Sequence, residues 1–466
     1  MFMLKKLLLT VLLILFIFFS FLDLKANNLV VYNIDLLGNK RTKEHIILRE
    51  LTFKQGDTIA QNLLEKYLEQ SKINLRNIEL FNFIDIQYII KNKQLYITVI
   101  VEEQWYIIPY FYIHTAEGSF NTWLQTKQWN ALTYGGKYRD RNFFGRKHLF
   151  AVDIAGGFDN YIDIQYVIPY LNKNTNIGLQ FEAGLNMNRR IIKQILDYKI
   201  DIFRIEKLIL KKGFYFLTGI SFRPEHHFYL LADFSYHFDK YTDTLFQEYP
   251  NFWNNTILNY FKLKVKIKLD YRDYASYPLK GYYYDIILEK YGFDLPFETV
   301  NGLFLQTNFR AYTPLCKRLY FGAGINAFTT FNLQLPLFLE KLIGNKDMEM
   351  RALFPYLLPA KDMIMLKTNV KVEILQPKYV RIRNWDTRVG HLSFACYLNL
   401  FYDALYYRES DFYLQLKNEK SMNGFQSAIG LGFDLVTSYD KVLRLETSYG
   451  FQRKQIFYGI SFKSAI

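Results

Sequence analysis

The chain has 466 residues, a formal net charge of +14, 50% hydrophobic and 18% aromatic residues, and two cysteines, Cys316 and Cys396. So apolar a composition excludes a disordered chain, two cysteines exclude a disulfide framework, and the length calls for several domains or one large closed sheet. The positive balance suits an acidic partner such as lipid head groups, and export from the cytoplasm argues against nucleic acid.

Lys5 and Lys6 precede an uncharged apolar run from Leu7 to Leu22, closed by Asp23. This pattern predicts a secretory signal over residues 1–26, cleaved near Ala26, although Leu24 fits the small-residue rule poorly. No cysteine is present there to carry a lipoprotein anchor. Beyond residue 22 no apolar stretch reaches the ~18 residues of a spanning helix, so a membrane form has to be a closed barrel.

Residues 27–104 read as a small α+β domain. "NLVVYNIDLLGNK" predicts a strand, "TKEHIILREL" a short helix that Thr42 caps, and the stretch after "FKQGDTI" a longer helix carrying Leu63, Leu64, Tyr67 and Leu68. "IDIQYIIKN" and "QLYITVIVEE" predict two further strands. The predicted order is βααββ.

From residue 105 to 466 the helical period disappears. Strands are predicted at 105–113, 131–142, 147–157, 161–170, 176–190, 210–222, 226–238, 259–273, 281–292, 301–313, 318–329, 365–376, 391–404, 424–436, 440–450 and 453–463, sixteen in all. In "KLKVKIKLDYRD" Lys262, Lys264, Lys266 and Lys268 alternate with Leu263, Val265, Ile267 and Leu269. That alternation defines a strand with one wet face and is compatible with a soluble sandwich, the commoner case, and with a membrane barrel. The connections separate the two, since "NFFG", "PYLNK", "RPEH", "ASYPLKG", "TPLCK" and "TSYD" fall on one side, and long links at 114–130, 191–209, 239–258 and 330–364 on the other. Short periplasmic turns, long outer loops and an even strand count predict a 16-stranded antiparallel transmembrane β-barrel with the lysines facing a watery lumen. Two segments strain the scheme: 376–390 is long for a periplasmic turn, and 191–209 has room for extra strand.

"LLGNKRTKEHIILRELTFKQGDTI" and "LRNIELFNFIDIQY" resemble a POTRA domain. "LTYGGKYRDRNFFGRKHLFAVDIAGGFDN", "YASYPLKGYYYDIILEKYG" and "GLGFDLVTSYDKVLRLETSYGF" resemble barrel segments of the BamA/TamA superfamily, and the ending "SFKSAI" suits versions from Bacteroidetes-like bacteria. The resemblance implies an outer-membrane protein of a Gram-negative bacterium, its N-terminal domain in the periplasm. It also implies a function in capturing and inserting other β-barrels, with unfolded outer-membrane proteins, lipids and accessory lipoproteins as partners. The alternatives are a polypeptide exporter of the two-partner-secretion type and a structural or diffusion pore.

The family's Arg-Gly-aromatic loop motif aligns with Arg351, Ala352 and Leu353, and its inner-wall Phe-x-Asp-x-Gly stretch with Phe401, Asp403 and Leu405. Both halves depart from the pattern, because alanine and leucine replace the glycines and Leu353 replaces the aromatic. Independently, alternation in 391–404 puts Ser393, Tyr397, Asn399 and Asp403 on one face, so Asp403 points inward, where an arginine can pair with it. Gly459 and Phe462 of the last strand mark the predicted lateral seam. No HExxH, paired CxxC, GxSxG or phosphate-loop sequence occurs, and neither an enzyme activity, a metal site nor a cofactor is expected.

Overall fold

A computed structural model describes residues 28–115, 132–196, 199–205, 207–248, 255–336, 339–344, 348–353, 356–381, 391–410, 424–437 and 441–462. The predicted signal segment lies outside these residues.

The N-terminal unit contains β1 (Asn28–Leu37), α1 (Glu44–Leu48), β2 (Thr58–Ala60), α2 (Leu64–Asn77), β3 (Phe81–Lys91) and β4 (Gln94–Glu103). Its sheet runs β2-β1-β4-β3, with β1 parallel to β4 and the other pairs antiparallel. Burial alternates strictly along β4, and Leu95, Ile97, Val99 and Val101 meet Ile46, Ile47, Leu64, Leu68 and Leu75 in one core.

Three local expectations are corrected. The three-residue β2, absent from the predicted βααββ order, pairs with the start of β1. Thr42 does not cap α1: Lys43 occupies that position without a side-chain cap, while the Thr42 hydroxyl meets Tyr106 and Asn142. On α2 the buried stripe is Leu64, Leu68, Ser71, Asn74 and Leu75, whereas Leu63 and Tyr67 are exposed. The stripe starts one residue later because residues 61–63 form a separate 3-10 turn.

The barrel staves are β5 (Tyr110–Thr115), β6 (Leu132–Phe143), β7 (His148–Gly157), β8 (Asn160–Ile168), β9 (Ile177–Asn188), β12 (Lys211–Phe222), β13 (Phe228–Tyr241), β14 (Ile257–Asp270), β15 (Gly281–Tyr291), β16 (Asn301–Cys316), β17 (Leu319–Gln334), β19 (Leu358–Arg381), β20 (His391–Glu409), β21 (Gly424–Thr437), β22 (Lys441–Gly450) and β23 (Gln455–Phe462). These sixteen close into an antiparallel ring, and the two-residue β18 (Leu342–Ile343) adds a seventeenth strand along the outer end of β19. The 191–209 link is a hairpin of β10 (Arg190–Leu196) and β11 (Lys199–Arg204), and the link after β13 carries α3 (Asp243–Glu248). The first stave starts at Tyr110 rather than 105. Residues between β4 and β5 instead bridge the domains through Ile107 and Asp140.

Inward and outward faces alternate as the pleat requires. On β14 Ile267 is exposed on the outside, while the lysine face turns to the acidic face of β15: Lys266 lies 2.9 Å from Asp285, and Lys262 3.5 Å from Glu289. Among the described residues no helix is long and apolar enough to cross a membrane.

Candidate functional site

The outer link between β17 and β19 turns back into the lumen. Its apolar residues Leu342, Ile343, Met348, Met350 and Leu353 are buried against Met363, Met365 and Leu405 of the wall. Within this plug Arg351 and Asp403 are both buried. Arg351 Nε donates to Asp403 Oδ2 at 2.8 Å, Nη2 donates to Oδ1, and the Arg351 backbone N–H donates to Oδ2 at 3.2 Å. The guanidinium carbon lies 3.7 Å from the centre of the Phe401 ring, so one arginine is held by charge and by an aromatic face together.

Ala352 adopts φ +63°, the left-handed region that glycine enters freely. The loop therefore keeps a glycine-type backbone despite the substitution. Leu353 buries its side chain with Leu405, so an aliphatic pair fills the space where the resemblance implied an aromatic and a glycine. A side chain at Gly430 would lie 2.5 Å from the Phe401 ring, so that glycine makes room for Phe401 under the guanidinium.

A second wall cluster was not singled out from sequence. Arg444 binds Asp434 through Nε at 2.6 Å and Nη2 at 2.9 Å, and Tyr277, reaching in from the β14–β15 turn, donates to the same carboxylate at 2.8 Å. The stretch "FDLVTSYDKVLRLE" carries this signal, because Asp434 and Arg444 are register partners on β21 and β22. No comparable local signal announces Tyr277.

The seam joins β5 and β23. The ring closes where β23 is hydrogen-bonded to β5. Six residues of β5 are described. Outward side chains here are unusually bare: Phe111 is 90% exposed and Tyr458 82%, against 40% for Ile267 on β14. Gly459 faces inward, where an added side chain would meet Glu446 at 3.0 Å, and Phe462 is the register partner of Leu443 on β22.

The N-terminal domain docks on the short-turn end of the barrel. Glu50 is fully buried between the two parts, with Arg223 of the β12–β13 turn donating to it at 2.7 and 2.9 Å. Burial pushes this carboxyl up, but the Arg223 charge, aided by Lys147 and the Arg223 hydrogen bonds, outweighs it and holds the pKa at about 2. Arg49 stacks on Tyr170, its guanidinium carbon 3.1 Å from the ring centre, and the Lys43 N–H donates to Gly145 O at 2.8 Å. Arg41 pairs with Asp140 at 2.6 Å. Partners separated by 173 residues, as Glu50 and Arg223 are, leave no pattern in a single sequence.

Residues 30–104 match the family model described as "POTRA: Surface antigen variable number repeat". In fold, the chain is similar to the crystal structure of BamA from Haemophilus ducreyi lacking POTRA domains 1–3, with a TM-score of 0.50 and 12% identity over 93% of this chain and 83% of that one. It is similar to CdiB from Escherichia coli, with a TM-score of 0.50 and 9% identity over 94% of this chain and 74% of that one. No curated protein sequence matches. Residues 30–104 are thus a POTRA domain by sequence, and the chain as a whole shares its fold with BamA and CdiB.

Proposed function

We propose that this protein is an outer-membrane assembly factor, whose POTRA domain captures unfolded β-barrel clients in the periplasm and whose seam parts to help insert them. The observation that carries this reading is the contrast between the seam and the lumen. The seam between β23 and β5 carries unusually bare outward side chains, Phe111 at 90% and Tyr458 at 82% exposure, whereas the lumen is filled by a plug held on Arg351 and Asp403. A lateral route leaves the plug in place, while an axial route requires removal of a buried apolar cluster and an ion pair.

Capture follows from the POTRA sheet. β2 and the turn before it cover β1 only as far as Tyr32, and the β1 edge from Asn33 on offers backbone groups to which an extended client segment can add as a strand. Outer-membrane lipids surround the apolar outer face, and accessory lipoproteins are the expected partners on the periplasmic side. The polar lumen wall favours a second reading, an exporter that passes a polypeptide once the plug leaves.

The test is a disulfide lock across the seam, with cysteine pairs scanned along β5 and β23 in a background lacking Cys316 and Cys396. If the lock stops assembly of other barrels while the protein itself stays folded, insertion through the seam stands. If assembly continues and secretion of a polypeptide stops only when the plug is tethered, the exporter reading replaces it.

A further inference from the structure

Where α2 of the POTRA domain meets the barrel mouth there is a cavity of about 340 Å³, walled by Asn77 and Glu79 of the domain, by Lys147 and Arg223 of two turns, and by Lys268 and Arg272 near the end of β14. Its charges do not balance. Arg223 is neutralised by Glu50, Arg272 by Asp270 at 2.7 Å, and Glu79 lies 3.6 Å from Arg141. Lys147 and Lys268 remain. Among the described residues no carboxylate lies within ion-pair distance of either ammonium, and the aromatic neighbour of Lys268 is Tyr229, with its ring centre 5.3 Å away.

We propose that this cavity is a binding site for a phosphate group of charge near −2, held jointly by Lys147 and Lys268. Two unmatched ammonium groups call for two negative charges, and compact point-charge donors suit a phosphate's several oxygens without the planar fork a single carboxylate would select. The neighbourhood already strains against its own charge: burial chiefly, with Arg223 and Lys268 adding to it against the pull of Glu50, brings Lys147 down to about 8. A bound dianion relieves that strain. Because the walls come from both domains, the same anion ties the POTRA domain to the barrel. This site rests on the junction alone and is independent of how clients cross the membrane.

The source of the phosphate is either the free ion or the head group of a phosphomonoester lipid. The experiment is a phosphorus NMR titration of the full chain with inorganic phosphate, first in phosphatidylcholine nanodiscs and then in discs containing phosphatidic acid. Saturable binding that weakens tenfold or more in Lys147→Gln/Lys268→Gln and is retained in Lys268→Arg supports the site, with folding checked by heat-modified gel mobility. Undiminished phosphate binding in phosphatidic acid discs assigns the site to the free ion, whereas competition by the lipid assigns it to a head group. Absence of saturable binding in the wild type under both conditions, or binding unchanged in the double variant, overturns the proposal. If the double variant does not fold, the single Lys268→Gln and the wild-type titration decide in the same way.

Discussion

Arg351 and Asp403, 52 residues apart in sequence, form a buried two-pronged ion pair that ties the lumen plug to the barrel wall above the Phe401 ring. Removing one partner leaves the other charge buried and uncompensated, at a cost of about 3–5 kcal/mol. Arg351→Ala is therefore expected to lower the temperature at which the folded band converts on a heat-modifiability gel, and Arg351→Ala/Asp403→Ala to recover part of the loss. A single variant as heat-resistant as the wild type would show that the pair does not hold the plug.

Ala352 sits beside that pair at φ +63°. A left-handed backbone costs a non-glycine residue about 1–2 kcal/mol, offset in part by the greater chain entropy that glycine loses on folding. Ala352→Gly should raise the conversion temperature slightly in the same gel assay. A fall would mean that Ala352 contributes contacts worth more than the strain.

The two faces of β14 predict opposite tolerances. Val265→Arg puts a charge toward lipid, at about 2–4 kcal/mol near the midplane, and should abolish stable folding into vesicles. Lys264→Gln changes a lumen residue 4.0 Å from Glu289, a carboxylate that retains Lys262 and Lys341, and should fold normally. Equal behaviour of the two variants would overturn the facing of the strand.

Glu50 predicts a pH window for POTRA docking. Its carboxyl is held at about 2 in the folded protein against an ordinary value of 4.5, so its contribution is complete above pH 4.5 and is lost as the pH falls toward 2. The shift corresponds to something on the order of 3 kcal/mol. Spin labels on α2 and on a neighbouring short turn of the barrel should report one short distance distribution at pH 5 and a broadened one near pH 2. Glu50→Gln should show the broad distribution already at pH 7. An unchanged distribution in Glu50→Gln would remove Glu50 from the latch.

The chain itself determined most of the frame. Period-2 alternation with one polar face marked the staves, including β14 and β20, and the sorting of short turns and long links distinguished a membrane ring from a sandwich. These signals are local, because each residue's facing follows from its immediate neighbours and from the solvent on each side of the pleat. Inward-facing Asp403 was legible for the same reason, and the family pattern drew attention to Arg351. Thr42 shows the limit of local reading: its sequence suits a helix cap, yet Tyr106 and Asn142 engage its hydroxyl. Tertiary structure alone decided the left-handed turn at Ala352, the reach of Tyr277 to Asp434, the burial of Glu50 against Arg223, and the meeting of Lys147 with Lys268 in one cavity. Each depends on bringing distant segments together by closing the ring and docking a domain on its mouth, and neither closure nor docking has a period that a sequence can display.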